Sequence, residues 1–233
     1  MNPSEQMVLT GSLISGLARP ELHIIVPGEA RGPFLPFLST MALVTERAGV
    51  GVTIVNPRGS DLIGVRTTGV RAALENGATH ILWVDSDMIM PEDAALRLMA
   101  HGLPVVAANY VMKTMDFAPV SFSSSGDRVF SIDKTGLEEV ATTGMGLFLT
   151  AATIYEKLRY PWFGHRWFFA GDKDPVQIGA PEKWEDWPAS YEDAYFCDRI
   201  KEAGYKVYID HDLSLKVGHY GGCIYYHGGV EAA

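Results

Sequence analysis

The first half of the chain alternates short apolar runs with stretches of helical periodicity. The apolar runs predict strands at 22–26, 50–55, 80–84 and 104–108. Between them, apolar residues at three- and four-residue spacings predict helices over about 33–48, from Ser60 or Asp61 to about 77, and from 91 onward. Successive strand–helix units of this kind imply a parallel sheet with right-handed crossovers.

The second half, after about residue 108, is less regular. Its pattern predicts short strands near 120–123, 128–132 and 138–141, followed by a tight turn at 143–146. Two helices are predicted near 151–158 and 190–203, and the last two strands at 206–209 and 214–217. Between the two helices lies a long segment, 160–188, which is rich in tryptophan, glycine, proline and charge. A loop of that length is usually functional or mobile.

Composition limits the function classes that fit this pattern. The 233 residues are 47% hydrophobic and 20% charged, which suits a full core and excludes a disordered or disulfide-stapled chain. The formal charge of −9 excludes a broad basic face, so any contact with nucleic acid would be local. The two cysteines form no CxxC pair, and no apolar run nears the roughly 20 residues of a membrane span. The N-terminus also lacks the basic residues of a secretory signal, so we expect a cytoplasmic protein with no membrane contact.

Three loops with motif-like sequences follow predicted strands, at 27–33, 56–61 and 85–87. In an open parallel sheet, ligands collect at the carboxyl ends of the strands. All three loops fall at those ends, so we expect them to form a single binding site.

The third loop, Asp85-Ser86-Asp87, places two acids directly after an apolar strand. At the end of an extended strand, residues i and i+2 project to one side, so both carboxylates can face a hard divalent cation while Ser86 points away. His219, which stands among glycines after the last predicted strand, is a natural third ligand because neutral imidazole completes a carboxylate site for a Mn²⁺-like ion. The alternatives are a capped turn for the acids and a structural role for the histidine.

A second acidic pair, Glu192 and Asp193, opens the helix predicted over 190–203. Ser190 stands three residues before Asp193, as in a helix-capping pattern, and acids at a helix start also suit the macrodipole. The apolar stripe of this helix lies nearest Glu192, so we expect one of the two acids to be half-buried at the rim of a cleft. A carboxylate there could accept a proton from an attacking hydroxyl.

Other candidate residues have both a functional and a structural interpretation. The glycines of the turn 143–146 allow a close approach by a ligand, or they only connect two strands. Basic side chains near the strand ends contact a phosphate or are ordinary solvated charges, and we favour the second interpretation for Lys113. The tryptophans of the long segment stack on a sugar or nucleobase of the acceptor, or form a small core of their own; they are Trp162, Trp167, Trp184 and Trp187.

The order of these pieces along the chain resembles the GT-A fold glycosyltransferases, above all the small family 2-like enzymes common in bacteriophage genomes. The resemblance rests on Asp85-Ser86-Asp87 after a strand, then the segments 143–148 and 192–197, then Gly218-His219. It implies an α/β, Rossmann-like fold whose mostly parallel central sheet is flanked by helices, with a smaller mixed sheet in the second half. It also implies one domain over 21–222, with a nucleotide-binding half at about 21–110 and an acceptor half at about 111–222. An extension at 1–20 and a tail at 223–233 flank that domain.

The resemblance further implies a nucleotide-sugar donor, with UDP-sugars first, and Mn²⁺ or Mg²⁺ as the cofactor. Asp85, Asp87 and His219 would hold the cation, which would stabilise charge on the departing nucleotide. Asp193, with Glu192 beside it, matches the general base of an inverting single displacement. The positions that match donor-binding residues of the family are Pro27, Gly28, Arg31, Asn56, Arg58, Arg66, Ser86, Gly144, Met145 and Gly146.

The donor base and the acceptor are less defined. The first loop lacks the small polar residue and the aspartate often seen in the family, and only Arg66 carries over from the basic pattern of the second helix. The identity of the donor base therefore stays open. The leading acceptor is a 5-hydroxymethylpyrimidine of phage DNA, flipped between the loop tryptophans. A local basic rim would then offset the net charge, through Arg58, Lys113, Arg128, Arg166 and Lys173. Hydroxyls of a polysaccharide or a protein are alternatives.

Two other function classes share parts of this pattern. A nucleotidyltransferase also uses a doubly wound sheet and an acidic metal pair. A non-catalytic sugar- or nucleotide-binding domain would carry a degenerate site, and the intact carboxylates argue against it. The sequence leaves the sugar, the donor base and the oligomeric state open.

Overall fold

The computed structural model describes residues 19–28, 34–164, 192–221 and 223–231. Its strands are β1 (Glu21–Ile25), β2 (Gly51–Val55), β3 (His80–Val84), β4 (Met88–Ile89), β5 (Val105–Ala107), β6 (Leu137–Val140), β7 (Leu147–Ala151), β8 (Val207–Asp210), β9 (Gly218–Tyr220), β10 (Ile224–Tyr226) and β11 (Gly229–Glu231). Its helices are α1 (Phe34–Arg47), α2 (Leu62–Glu75), α3 (Ala94–Ala100), α4 (Glu192–Glu202) and α5 (His211–Ser214), with a 3-10 helix at Ala152–Glu156.

The strands and helices predicted for the first half are confirmed. Each of the four apolar runs forms one strand, β1, β2, β3 or β5. Asp61 caps α2 by accepting hydrogen bonds from the N–H groups of Ile63 and Gly64. The same helix ends at Asn76 and Gly77, and the glycine takes a φ of +77°, as expected of a residue that closes a helix.

The main sheet has seven strands in the order β2-β1-β3-β7-β5-β8-β6. β1 pairs in parallel with β2 and β3, and β5 pairs in parallel with β8. β7 runs antiparallel to both β3 and β5, and β6 runs antiparallel to β8. All strands except β6 and β7 therefore point the same way, which confirms the predicted α/β class with a mostly parallel sheet.

Helices cover both faces of this sheet. Along β1, Leu22 and Ile24 pack on the face covered by α1 and α3, whereas Ile25 packs on the face covered by α2 and α4. Along β3, Leu82 and Trp83 divide between the same two faces. This alternation follows from the two-residue period of a strand. Because β1, β2 and β3 are parallel, their carboxyl ends lie at one edge of the sheet.

The central strand β7 was missing from the predicted elements. The sequence pattern places a helix from about 151 after the turn at 143–146, and assigns no strand to the segment between them. The residues of β7 are almost all buried because the core lies on both faces of the sheet at this strand, so its apolar positions do not alternate with polar ones. A short apolar run of this kind has no periodicity that separates a buried strand from a buried helix.

Other predictions for the second half are wrong in part. The strands expected near 120–123 and 128–132 are reduced to isolated bridges, of Phe122 with Arg128 and with Thr142. The helix expected over 151–158 is the short 3-10 helix. No strand forms at 214–217, because α5 ends at Ser214 and the chain reaches β9 only at Gly218.

A second, smaller sheet has the order β11-β10-β9-β4. Its pairs are all antiparallel, so the expectation of a mixed sheet is wrong, and β4 comes from the first half of the chain. β10 and β11 lie in the stretch predicted to be a tail. Because Met88 of β4 pairs with His219 of β9, this sheet brings the end of the chain to the turn that follows β3.

Within the described ranges, no helix is long and apolar enough to cross a membrane.

Candidate active site

The turn after β3 is the centre of the candidate site. The Asp85 N–H donates to the Gly146 carbonyl at 3.1 Å, and the Met88 N–H donates to the Asp85 carbonyl at 3.2 Å. The strand therefore ends at Val84, and the next four residues form a turn. Asp85 and Asp87 therefore stand in a turn, where the alternation of a strand does not apply, and a cation shared by the two carboxylates stays a prediction. Ser86, between them, is half-buried.

Asp85 is bound to a buried arginine. Nη2 of Arg66 donates to Oδ1 of Asp85 at 3.2 Å, and Nε donates to Oε1 of Glu192 at 3.1 Å. The Arg66 side chain is only 3% exposed, and its guanidinium lies 5.4 Å from the ring centre of Trp83. Although burial opposes the charge, Asp85 and Glu192 raise the pKa of Arg66. Arg66 is thus a buried residue that joins two acids of the site, and its predicted role in donor binding stays a prediction.

Asp87 has two basic neighbours. Nζ of Lys113 donates to Oδ2 of Asp87, and Nε2 of His219 lies 3.5 Å from Oδ1. Burial opposes ionisation of this carboxyl, but the hydrogen bonds and charges of His219 and Lys113 outweigh it and lower the pKa of Asp87 to about 2. The structure therefore brings together Asp87 and His219, two of the three predicted metal ligands, and it adds Lys113.

The orientation of His219 fits a divalent cation at this position. Nδ1 lies 3.0 Å from the Val111 carbonyl, which only accepts, so Nδ1 carries the hydrogen and Nε2 faces Asp87. Metal-binding histidines commonly donate one ring N–H to a backbone carbonyl and offer the other nitrogen to the ion. Asp87 and His219 thus suit a cation as two ligands. In the part of the chain that the structure describes, no group of three histidine, cysteine or acidic side chains is arranged to hold a metal ion.

Asp193 is an acid of the site with a strongly raised pKa. Burial, and then the charge of Glu192, raises the pKa of Asp193 to about 6. The Ala194 N–H, which donates to Oδ1 at 2.7 Å, and the charge of Arg66 act in the opposite direction. A carboxyl with a pKa just below neutrality is suited to accept a proton from a reacting hydroxyl.

Tyr110 is a site residue that sequence reasoning missed. It is 6% exposed, and its ring meets the imidazole of His219 edge-on at 5.2 Å between ring centres. Burial, and then the charges of Asp85 and Asp193, raises the pKa of its phenol well above the usual value. The phenol therefore lies close to both acidic pairs.

The two glycines of the predicted turn are explained by Tyr110. A Cβ on Gly144 would lie 2.4 Å from the Tyr110 hydroxyl oxygen, and a Cβ on Gly146 would lie 2.7 Å from its ring. Met145, between them, is buried in the core. Two glycines at alternate positions indicate that another group packs closely against the backbone. In this protein that group is the ring of Tyr110.

The first two loops meet at the same edge of the sheet. Nδ2 of Asn56 donates to the carbonyls of Val26 and Gly28, both at 2.7 Å. Pro27, between these two acceptors, is buried. Asn56 therefore holds the loop after β1 against the loop after β2, whereas Arg58 is exposed beside them.

The predicted acceptor residues are described only in part. Trp162 packs edge-on against Tyr155 and Tyr160, with ring centres 5.3 and 5.7 Å away, in an aromatic cluster on the core. These contacts favour the structural alternative for Trp162, in which the tryptophan packs in a core and not on the acceptor. The remaining candidates from the sequence lie outside the described residues; they are Arg31, Trp167, Trp184, Trp187, Arg166 and Lys173.

Comparison with known proteins gives a likeness of fold. No family model matches the chain, and neither does any curated protein. Among solved structures, A197 from STIV is 15% identical, with a TM-score of 0.55 over 92% of this chain and 97% of that one. At that identity the likeness shows a shared fold and nothing further.

Two more solved structures are less similar. A mutant of Drosophila β-1,4-galactosyltransferase 7, in complex with manganese, UDP-Gal and xylobiose, is 15% identical, with a TM-score of 0.48 over 90% of this chain and 71% of that one. A 4-diphosphocytidyl-2C-methyl-D-erythritol synthase from Anaerococcus prevotii is 11% identical, with a TM-score of 0.33 over 61% of this chain and 74% of that one. The resemblance to the small bacteriophage-associated enzymes stays a prediction.

Proposed function

We propose that this protein is a GT-A glycosyltransferase that moves a sugar from a nucleotide-sugar donor to a hydroxyl group. The observation that supports this most is the contrast among the acids at the carboxyl edge of the sheet. Arg66 is bound to Asp85 and Glu192, and Lys113 and His219 face Asp87, whereas Asp193 has a pKa of about 6. One acid is thus suited to exchange a proton at neutral pH, and the others are paired with cationic or basic groups.

The proposed reaction is a single displacement. Asp193 accepts the proton of the acceptor hydroxyl, and the hydroxyl oxygen forms a bond to the anomeric carbon of the donor sugar. The bond from that carbon to the diphosphate oxygen breaks, and its electron pair leaves with the nucleoside diphosphate. Attack from the side opposite the leaving group inverts the anomeric configuration.

The remaining residues have supporting roles in this proposal. A divalent cation, Mn²⁺ or Mg²⁺, held by Asp87 and His219 would neutralise charge on the diphosphate. Arg66 keeps Asp85 and Glu192 in fixed orientations around the site. The loops that Asn56 holds together, including Gly28, would receive the nucleoside at the carboxyl ends of β1 and β2, with Arg58 beside them.

For the acceptor, we propose a hydroxymethylated pyrimidine in DNA as the first class to test. The structure gives two of the predicted basic rim residues internal partners: Lys113 contacts Asp87, and Arg128 donates to the Pro119 carbonyl. A basic surface for duplex DNA therefore gains no support from these two side chains. Hydroxyls of a polysaccharide or a protein fit the charge of −9 without such a surface.

Donor binding is the experiment that tests the function. Calorimetric titration with UDP-glucose, UDP-galactose and UDP-N-acetylglucosamine, with and without Mn²⁺, should give binding of at least one donor that depends on the metal. Asp87→Ala should abolish it, and Asp127→Ala, which removes an exposed acid in a separate turn, should not. Lack of metal-dependent binding in the intact protein would reject the proposal. Release of pyrophosphate from a nucleoside triphosphate would favour a nucleotidyltransferase instead.

A product screen then identifies the acceptor. A donor that binds is incubated with plain DNA, with hydroxymethylated DNA, and with soluble polysaccharide, and nucleosides and glycans are analysed by mass spectrometry. A glycosylated hydroxymethyl nucleoside supports the DNA acceptor. Unchanged nucleosides with continued donor turnover contradict it.

A further inference from the structure

Lys113 occupies an unusual position for a lysine that the sequence treats as a solvated charge. Its ammonium group contacts Oδ2 of Asp87, while His219 faces the other oxygen of the same carboxylate. Exposed ion pairs usually contribute little to stability. The pair of Lys113 and Asp87 differs from these in its position in the fold, because Asp87, together with His219, suits a divalent cation.

One loop carries Lys113 and also contacts His219, the two partners of Asp87. The loop 111–119 is closed by a bridge between Val111 and Pro119, and by a hydrogen bond from the Met112 N–H to the Ala118 carbonyl at 2.9 Å. Its first residue, Val111, orients His219 through the carbonyl, and Lys113 follows two positions later. The orientation of the imidazole and the position of the ammonium are therefore coupled through this loop.

A glycine makes room for the lysine stem. A Cβ on Gly221 would lie 3.0 Å from Cδ of Lys113 and 3.4 Å from its Cγ. The stem thus runs close over the backbone just after β9, and the ammonium reaches Asp87 from there. The Lys113 side chain is 35% exposed, so solvent reaches it.

A divalent cation and an ammonium group compete for one carboxylate. Like charges a few ångströms apart repel, and the repulsion is strong where solvent is partly excluded, as it is at Asp87. If a divalent ion binds Asp87 and His219, the Lys113 ammonium must move away from Oδ2. The nearest new anion would then be the diphosphate of a donor on the same ion.

We propose, on the basis of the proposed function, that Lys113 is a displaceable cation of the active site. In the absence of a divalent ion it neutralises Asp87, and after metal binding its ammonium group contacts the diphosphate of the nucleotide. Lys113 is then a donor-binding residue whose position depends on the metal. Metal alone binds weakly because it must displace the lysine, and nucleoside diphosphate and metal bind cooperatively.

The first test measures metal binding alone. Mn²⁺ is titrated by electron paramagnetic resonance into the wild-type chain and the variants Lys113→Met and Lys113→Arg. Lys113→Met should bind Mn²⁺ about fivefold more tightly or better, because it lacks the competing charge, and Lys113→Arg should stay near the wild type. Lys206→Met, which removes a lysine paired with Glu139 at the opposite edge of the sheet, is the matched control and should change nothing. Unchanged or weaker Mn²⁺ binding by Lys113→Met overturns the proposal.

The second test measures the nucleotide at saturating Mg²⁺. The tightest binder among UDP, GDP, ADP and CDP should bind Lys113→Met about tenfold more weakly than the wild type, because a charge-assisted hydrogen bond is lost. The same variant therefore gains affinity for the metal and loses affinity for the nucleotide, which loss of structure would not produce. Equal nucleotide affinity in wild type and Lys113→Met contradicts the diphosphate contact. If no nucleoside diphosphate binds the wild type, the proposed function fails, whereas the Mn²⁺ result still decides whether Lys113 competes with metal.

Discussion

Nε of Arg66 donates to Oε1 of Glu192 at 3.1 Å, which joins helix α2 to the first residue of helix α4. The same guanidinium donates to Asp85 at the end of β3, so one buried arginine holds three elements together. The two acids that it binds are held by hydrogen bonds, whereas burial and the charge of Glu192 raise the pKa of the neighbouring Asp193 to about 6. The active site that we propose is built around this arginine.

Loss of the Arg66 guanidinium should destabilise the fold. Arg66→Met leaves the carboxylates of Asp85 and Glu192 without their buried partner, and breaking a buried pair typically costs about 3–5 kcal/mol. Urea denaturation measures this change in the free energy of unfolding. Arg97→Met, which breaks an exposed pair with Asp93 on α3, should cost about 0.5 kcal/mol or less. Equal, small losses in the two variants would contradict the central role of Arg66.

Activity should depend on ionisation of Asp193. A general base works only when it is deprotonated, so the transfer rate should rise with pH through about 6 and level off above it. Asp193→Asn keeps the shape of the side chain and cannot accept the proton, so its rate should fall about 100-fold or more. Transfer rates between pH 5 and 8 test both points. A rate that is independent of pH in this range, with an active Asp193→Asn variant, would point to a different base.

The same carboxyl predicts how stability varies with pH. The folded chain raises the pKa of Asp193 from 3.8 to about 6, so folding takes up a proton between those values. The contribution of this group is fully present below about pH 4 and is lost as the pH rises through about 6. Asp193→Asn should therefore gain stability relative to the wild type at pH 8, by about 1–3 kcal/mol, and should gain much less at pH 4. An equal difference at both pH values would show that the pKa is not raised.

Gly144 and Tyr110 should behave as a coupled pair. Gly144→Ala places a Cβ 2.4 Å from the Tyr110 hydroxyl oxygen, so the variant should lose about 1–3 kcal/mol of stability through overpacking. Removal of that oxygen in Tyr110→Phe should recover part of the loss. A double-mutant cycle on the free energy of unfolding measures the coupling. Strictly additive effects would mean that the clash is relieved elsewhere.

The fold could be predicted from the sequence where strands alternate with amphipathic helices. β1, β2, β3 and β5 each stand beside a clear helix pattern, and Asp61 marks the start of α2 as a cap. β7 could not be found in this way, because it is buried between two strands and its apolar run has no period. The short strand β10 depends on its pairing with β9, and β11 in turn pairs with β10, so neither strand was indicated by a clear local pattern.

The candidate site could be predicted as a set of residues, but not as a set of contacts. The approach of Asp87 and His219 follows from the pairing of β4 with β9, and the contact of Asp85 with Arg66 joins residues 19 positions apart on two different elements. Lys113 and Tyr110 have ordinary sequence contexts, so their places beside Asp87 and the glycine turn emerge only from the fold. The two glycines of the turn signal a close approach to the backbone. The group that packs against them is the ring of Tyr110.

The most direct measurement is the position of a metal ion in the folded chain. Crystals soaked with Mn²⁺ and a nucleoside diphosphate would give an anomalous difference map. We expect a manganese peak about 2–2.3 Å from an Asp87 carboxylate oxygen and from Nε2 of His219, with the diphosphate on the same ion and Lys113 turned away from Asp87. A map without a peak at Asp87 and His219, or with the nucleotide bound at another edge of the sheet, would contradict the proposed glycosyltransferase site.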